Sequence, residues 1–141
     1  MESKVFPLNT FPAYKYVVIL SRMDGRWLFS RHRSRETWET QGGHIEEGET
    51  PMEAACRELW EESGAVDYDM RPVFDYWAGD RTGSAVGVVF TAAIRKLGPL
   101  PDSEMAEVRA FDTLPDDLTY PGITPVIVRA LQEMEEQDDA I

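Results

Sequence analysis

Three carboxylates, Glu58, Glu61 and Glu62, stand at i, i+3 and i+4 in one short stretch of the chain. On an α-helix these spacings make them neighbours on one face. Carboxylates this close repel one another at neutral pH unless something positive sits between them. An all-oxygen cluster suits hard cations such as Mg²⁺, Mn²⁺ or Ca²⁺, and a metal held there could act on an anionic substrate. The plainer alternative is a solvated acidic helix face, braced by Glu53, Arg57 and Glu61 at i, i+4 spacings. The second chemically suggestive group is basic. Arg31, His32, Arg33 and Arg35 form the one dense positive patch in a chain whose formal net charge is −12.

That charge narrows the function. A surface so acidic repels long nucleic acid, whose affinity comes from Lys and Arg neutralising phosphates. Small phosphate compounds are also repelled unless an Arg cluster or a bound metal supplies local positive charge, and the chain offers candidates for both. Its 141 residues suit a single domain, 1–141, with one core. The longest apolar run, Tyr16 to Leu20, is far short of the roughly 20 residues of a membrane helix. Met1 to Thr10 lacks the apolar stretch of a signal peptide. The single cysteine, Cys56, leaves no internal disulfide. These features favour the cytoplasm, without membrane association.

The carboxylates need a helix to align them, and the helix signals agree at both ends. Thr50 is a good N-cap, Pro51 suits the first helical position, and Glu53 completes a capping box. Gly64 fits the stop. The spacing predicts a helix over 50–63 with Met52, Ala55, Cys56 and Leu59 on its core side. Before it, Phe11 to Leu20 carries a strand signal, and Asp24-Gly25 marks a tight turn into a return strand over 26–32. That return strand puts Trp27 and Phe29 on one side and Arg26 and Leu28 on the other. Trp38 to Gly48, with Gly42-Gly43 and Gly48, reads as an ordered loop. Strands are expected over 66–78, 85–97 and 108–111, with an acidic loop over 99–107. A second helix should begin at Thr124-Pro125, with Ile127, Leu131 and Met134 as its apolar stripe and an acidic, frayed tail after Glu135. Two amphipathic helices need a sheet to pack against, so the element order fits a mixed sheet covered by a helix on each side.

Counting from Gly43, five residues lead to Glu49 and seven more to Arg57-Glu58-Leu59-Trp60-Glu61-Glu62-Ser63-Gly64-Ala65. This resembles the signature of the Nudix hydrolases, Gly-x5-Glu-x7-Arg-Glu-U-x-Glu-Glu-x-Gly-U, where U is a bulky aliphatic residue. Every fixed position matches, a coincidence with a probability on the order of 10⁻⁹ per starting point at average residue usage. There are two departures. Ala65 is smaller than the usual final aliphatic residue, and Gln41 stands where many relatives carry Pro before the two glycines. Length, the strand pair before the motif, the long strands after it and the terminal helix also look like a Nudix domain, which implies the α/β class and the family's α/β/α sandwich.

The resemblance implies that Glu58, Glu61 and Glu62 bind Mg²⁺ or Mn²⁺ together with the backbone carbonyl of Gly42. It also implies that Glu49 and Arg57 pair to lock the loop to the helix, an orienting role that makes chemical sense for a cation beside metal ligands. The family hydrolyses a nucleoside diphosphate linked to another group. Its general base is either a glutamate of the motif or one on a later loop. Glu104 and Glu107 are the later candidates here, and Glu104 is preferred because Glu107 adjoins a strand. Arg31 best matches the strand-end Arg that contacts substrate phosphate, while Arg33 and Arg35 read equally as a solvated strand end. Trp27, Trp38, Trp60, Trp77 and Tyr76 could stack a nucleobase, although core or interface roles account for most of them. The expected partner is a small nucleotide-type substrate, among which oxidised-guanine nucleoside triphosphates, ordinary nucleotides, nucleotide sugars and dinucleoside polyphosphates stay open. A homodimer is compatible with the family. Two other functions compete with hydrolysis: a non-catalytic Nudix-fold nucleotide-binding or regulatory domain, and an isopentenyl diphosphate isomerase. The first usually lacks glutamates that are present here. The second needs a catalytic cysteine, whereas Cys56 lies on the core side of the helix.

Overall fold

The computed structural model describes residues 1–139. Strands β1 (Glu2–Phe6), β2 (Tyr16–Met23), β3 (Arg26–His32), β4 (Gln41–His44), β5 (Ala65–Asp80), β6 (Gly83–Leu97) and β7 (Met105–Phe111) form one sheet, and helices α1 (Pro51–Ser63) and α2 (Thr124–Asp139) flank it. The main path runs β1-β5-β6-β2-β3-β7, with β4 attached to β2. Only β2 and β6 pair in parallel; the other pairings are antiparallel, so the sheet is mixed. The result is the expected α/β/α sandwich.

Alternation along the strands builds the two sides. Val17 and Ile19 of β2, Leu28 of β3 and Val88, Phe90 and Ala92 of β6 pack with Ala54, Ala55 and Leu59 of α1. Leu20, Trp27, Phe29 and Val89 face the opposite way and pack with Ile127, Val128 and Leu131 of α2. The β2–β3 turn has Asp24 at φ 54 and Gly25 at φ 76, the left-handed pair that matches the twist of a two-residue hairpin.

Several boundaries differ from the sequence expectations. β1 had no counterpart: its five residues alternate poorly but gain order by pairing with β5. Phe11 to Lys15 precede β2 rather than belong to it, because Phe11 N donates to Asp75 instead of to a ladder. The glycine-rich loop contains a strand: residues 41–44 pair antiparallel with the first half of β2, and β3 takes the second half. Small side chains hid that strand, since glycines carry no alternation to read. The strand expected over 108–111 begins at Met105. α2 continues past Glu135 to Asp139, and the last two positions of the expected frayed tail, 140 and 141, lie outside the described residues.

Candidate active site

α1 delivers the carboxylates, and both of its ends are fixed as its residues dictate. Thr50 Oγ1 accepts from Glu53 N at 3.1 Å, and Glu53 Oε1 accepts from Thr50 N at 3.0 Å. Gly64 adopts φ 78 at the C-cap and donates to the Trp60 carbonyl. Of the expected core side Ala55 and Leu59 are buried, joined by Ala54 and Ser63 in place of Met52 and Cys56. Met52 is exposed and Cys56 half-buried. The helix is therefore rotated so that Glu58 and Glu62 turn in toward β4, while Glu61, with a side chain 40% exposed, stays at the rim.

The two glycines of β4 make that approach possible. A Cβ on Gly43 would lie 2.7 Å from Glu58 Oε1. Gly42, at φ 153, could carry no Cβ at all, since one would meet the Val17 carbonyl oxygen. Glu62 Oε1 accepts from Gly42 N at 2.7 Å. Burial pushes the Glu62 carboxyl up to about 9; the Gly42 amide pulls it down, and the charges of Glu58, Glu39 and Glu104 push it further up. Burial also raises Glu58, against the opposing pull of Arg57.

Arg57 ties the loop to the helix. Its Nε donates to Glu49 Oε2 at 2.7 Å and its Nη2 to Glu49 Oε1 at 2.8 Å, a two-pronged pairing of the strong kind. The Nη1 atom donates to Glu58 Oε1 at 2.7 Å and lies 3.6 Å from Glu61, and Nη2 also reaches the His44 carbonyl. The Arg57 hydrogen bonds hold the Glu49 carboxyl at about 2. Glu49 and Glu58 bond this cation, Glu61 and Glu46 lie 3.6 and 3.7 Å from it, and Glu62 does not pair with it.

On the other side of β4 lies a cleft of about 570 Å³. Gly42 and Gly43 line it, together with Lys15, Tyr16, Tyr76 and Tyr120, and it reaches Asp80 and Thr82 at the β5–β6 turn. Tyr16 and Val18 in its wall pack on the α2 side of the sheet. The cleft and the buried carboxylates thus meet across a strand with no side chains at positions 42 and 43.

The other expected site residues are distributed unevenly. Glu104 precedes β7 with its side chain 82% exposed, 3.6 Å from His32 Nε2. Glu107 lies within β7 and is held by Arg109 at 2.7 Å and Arg31 at 3.4 Å. Arg31 also donates to the Arg35 carbonyl, and it is not among the residues lining the cleft. Of the aromatic candidates, Tyr76, Trp27 and Trp38 are core, Tyr76 also bordering the cleft, and Trp60 is 50% exposed on α1. Lys15, Tyr16, His44 and Tyr120 line the cleft and were not among the expected site residues. The register explains two of these, since Tyr16 pairs with His44 across β2 and β4 and their rings lie 4.4 Å apart. A strand had to be recognised before that pairing could be seen.

The family model described as NUDIX domain matches residues 12–126. The chain belongs to this family. It is 32% identical to the putative 8-oxo-dGTP diphosphatase YtkD of Bacillus subtilis (strain 168), over 74% of this chain and 66% of that protein. It is 43% identical to the RNA pyrophosphohydrolase of Psychrobacter sp. (strain PRwf-1), over 33% of this chain and 27% of that protein. The match therefore spans from about a quarter to just under two thirds of these curated relatives. The crystal structure of the Bacillus subtilis pyrophosphohydrolase BsRppH superposes with a TM-score of 0.81 at 23% identity, over 96% of this chain and 90% of that one. The Nudix sandwich is thus shared along nearly the whole of this chain.

A divalent cation, which the family implies, fits the donor chemistry: three carboxylates and the Gly42 carbonyl are hard oxygen donors. Among the described residues, however, no three acidic, His or Cys side chains already converge as a cage. Glu58 is turned to Arg57 and Glu62 to the Gly42 amide.

Proposed function

We propose that this protein is a metal-dependent hydrolase that cleaves a phosphoanhydride bond in a nucleoside diphosphate linked to another group, with a nucleoside triphosphate as the leading candidate. The observation that carries the reading is the junction at β4: Glu58 and Glu62 press against Gly43 and Gly42 from one side, and the cleft opens on those same glycines from the other. A nucleotide bound in the cleft would lie against the strand whose other face meets these carboxylates. The putative 8-oxo-dGTP diphosphatase and the RNA pyrophosphohydrolase among its relatives support the reaction class.

Glu58, Glu61, Glu62 and the Gly42 carbonyl would hold Mg²⁺ or Mn²⁺. When bound, such an ion screens phosphate oxygens and lowers the pKa of an attacking water. The remaining work belongs to the chain. Arg57, fixed by Glu49, orients Glu58 and keeps the loop against the helix. Glu104, exposed and unencumbered by an Arg, is the candidate to take the water's proton as its oxygen bonds to phosphorus and the bridging P–O bond breaks. Glu107 is less suited, being engaged by two arginines. Arg31 would reach substrate phosphate only by leaving Glu107. Tyr16 and Tyr120 offer faces for a base. The net charge of −12 argues for a small nucleotide over a nucleic acid polymer, and the cytoplasm is the expected setting.

Turnover of a nucleotide substrate in Mg²⁺ by wild type, Glu61→Gln and Glu104→Gln tests the assignments. Loss of kcat by 10²-fold or more in both variants is expected, as for removal of a ligand or a general base. Full activity in Glu61→Gln would show the metal assignment to be wrong.

A further inference from the structure

Glu62 is held at two points, and both lead to one side chain. Its carboxylate accepts from Gly42 N at 2.7 Å, and its backbone carbonyl accepts from Ser30 Oγ at 2.7 Å. Ser30 Oγ in turn accepts from Gln41 Nε2 at 2.9 Å, and Gln41 is the residue preceding Gly42. The bonds close a ring from Gln41 through Ser30 to Glu62 and back through Gly42. Gln41 and Ser30 are both fully buried.

The rest of the Gln41 amide is equally committed. Its Nε2 also donates to the Leu28 carbonyl at 3.3 Å, and its Oε1 accepts from Ser21 Oγ at 2.8 Å. A buried amide is costly unless bonded, and this one has a single orientation that satisfies all its partners. Only a primary amide offers an acceptor at one end and two donors at the other; a carboxylate of equal length lacks the donors, and Met lacks both. The Glu62 carbonyl lies in the last turn of α1, where carbonyls have no partner within the helix. Without Ser30 that turn loses one of its two hydrogen bonds to the sheet, and Glu62 is left held through its carboxylate alone.

We infer that Gln41, acting through Ser30, is a positioning residue that holds Glu62 at the Gly42 edge of the candidate metal site. The inference rests on the metal-dependent reading above. Residues behind a metal ligand set its geometry, and their loss typically weakens metal binding on the order of tenfold or more. Ser21 stands outside the ring, although it is as buried and also bonds Gln41, and so serves as the control.

Metal-free protein would be titrated with Mn²⁺, with the free ion followed by electron paramagnetic resonance, for wild type, Gln41→Met, Ser30→Ala and Ser21→Ala, beside the Tm of each. The dissociation constant is expected to rise about tenfold in Gln41→Met and Ser30→Ala and to stay at the wild-type value in Ser21→Ala, whatever its Tm. In turnover, kcat should fall while KM for the nucleotide holds. If Gln41→Met does not fold, Ser30→Ala decides. Wild-type Mn²⁺ affinity in the ring variants, or a loss in Ser21→Ala as large as theirs, would overturn the inference. A wild-type protein that binds no Mn²⁺ and hydrolyses nothing would instead remove the metal-dependent reading itself.

Discussion

At the scale of single residues, the site is built around one buried acid. Glu62 is pushed up to about 9, so in the metal-free folded protein it keeps a proton that the unfolded chain has already released near its ordinary value of about 4.3. The folded state then binds more protons across that window, and its stability must fall as pH rises through it. Glu62→Gln removes the penalty. In chelator, its Tm should exceed that of wild type at about pH 8 and converge with it at about pH 4, while its metal-dependent turnover is lost. A variant no more stable than wild type at the higher pH would contradict this. Gly43→Ala tests the same junction sterically. The new Cβ meets the far end of the Glu58 side chain rather than backbone, so the carboxylate yields. We expect turnover to fall on the order of tenfold with Tm nearly unchanged; the reverse pattern would place the strain in the backbone.

At the scale of elements, α1 was legible from the chain because its signals are local. Thr50, Pro51, Glu53 and Gly64 each act on backbone groups within one turn, and the helix begins and ends where they say. Thr50→Ala should cost about 1 kcal/mol in chemical denaturation, with Mn²⁺ affinity retained because the carboxylates lie at the other end of the helix. The helix's rotation was not legible. Spacing placed Met52 and Cys56 inward with Ala55 and Leu59, but packing against β2 and β6 adds Ala54 in their place, and the small side chains of Ala54 and Ala55 let the backbone sit close to the sheet. The same closeness buries Glu58 and Glu62. Strand β4 was missed for a related reason: Gly42 and Gly43 carry no side-chain pattern, and the strand is defined by pairing with β2, 20 and more residues away in sequence. Gln41 stood out only as a departure from the family pattern. The polar ring that explains it needs Ser30 and Glu62 brought to Gln41 and Gly42, which no local spacing announces.

At the scale of the whole molecule, net charge and the cleft act in opposite senses. The chain carries −12 overall, while the cleft offers Lys15 as its one Lys or Arg. A nucleotide must approach an acidic surface before it reaches any metal. Raising ionic strength from about 0.01 M to about 0.1 M shortens the screening length from about 30 Å to about 10 Å. With free Mg²⁺ held constant, KM should fall and kcat should stay the same; a KM that climbs with salt would mean that local positive charge, not the global field, governs capture. No helix among the described residues is long and apolar enough to cross a membrane. The central claim is tested most directly by phosphate and pyrophosphate release from a panel of nucleoside triphosphates, nucleotide sugars and dinucleoside polyphosphates, in Mg²⁺, in Mn²⁺ and in chelator. The account expects at least one substrate to be turned over with metal and none in chelator. Tight nucleotide binding without turnover in either metal, or turnover indifferent to chelator, would contradict it.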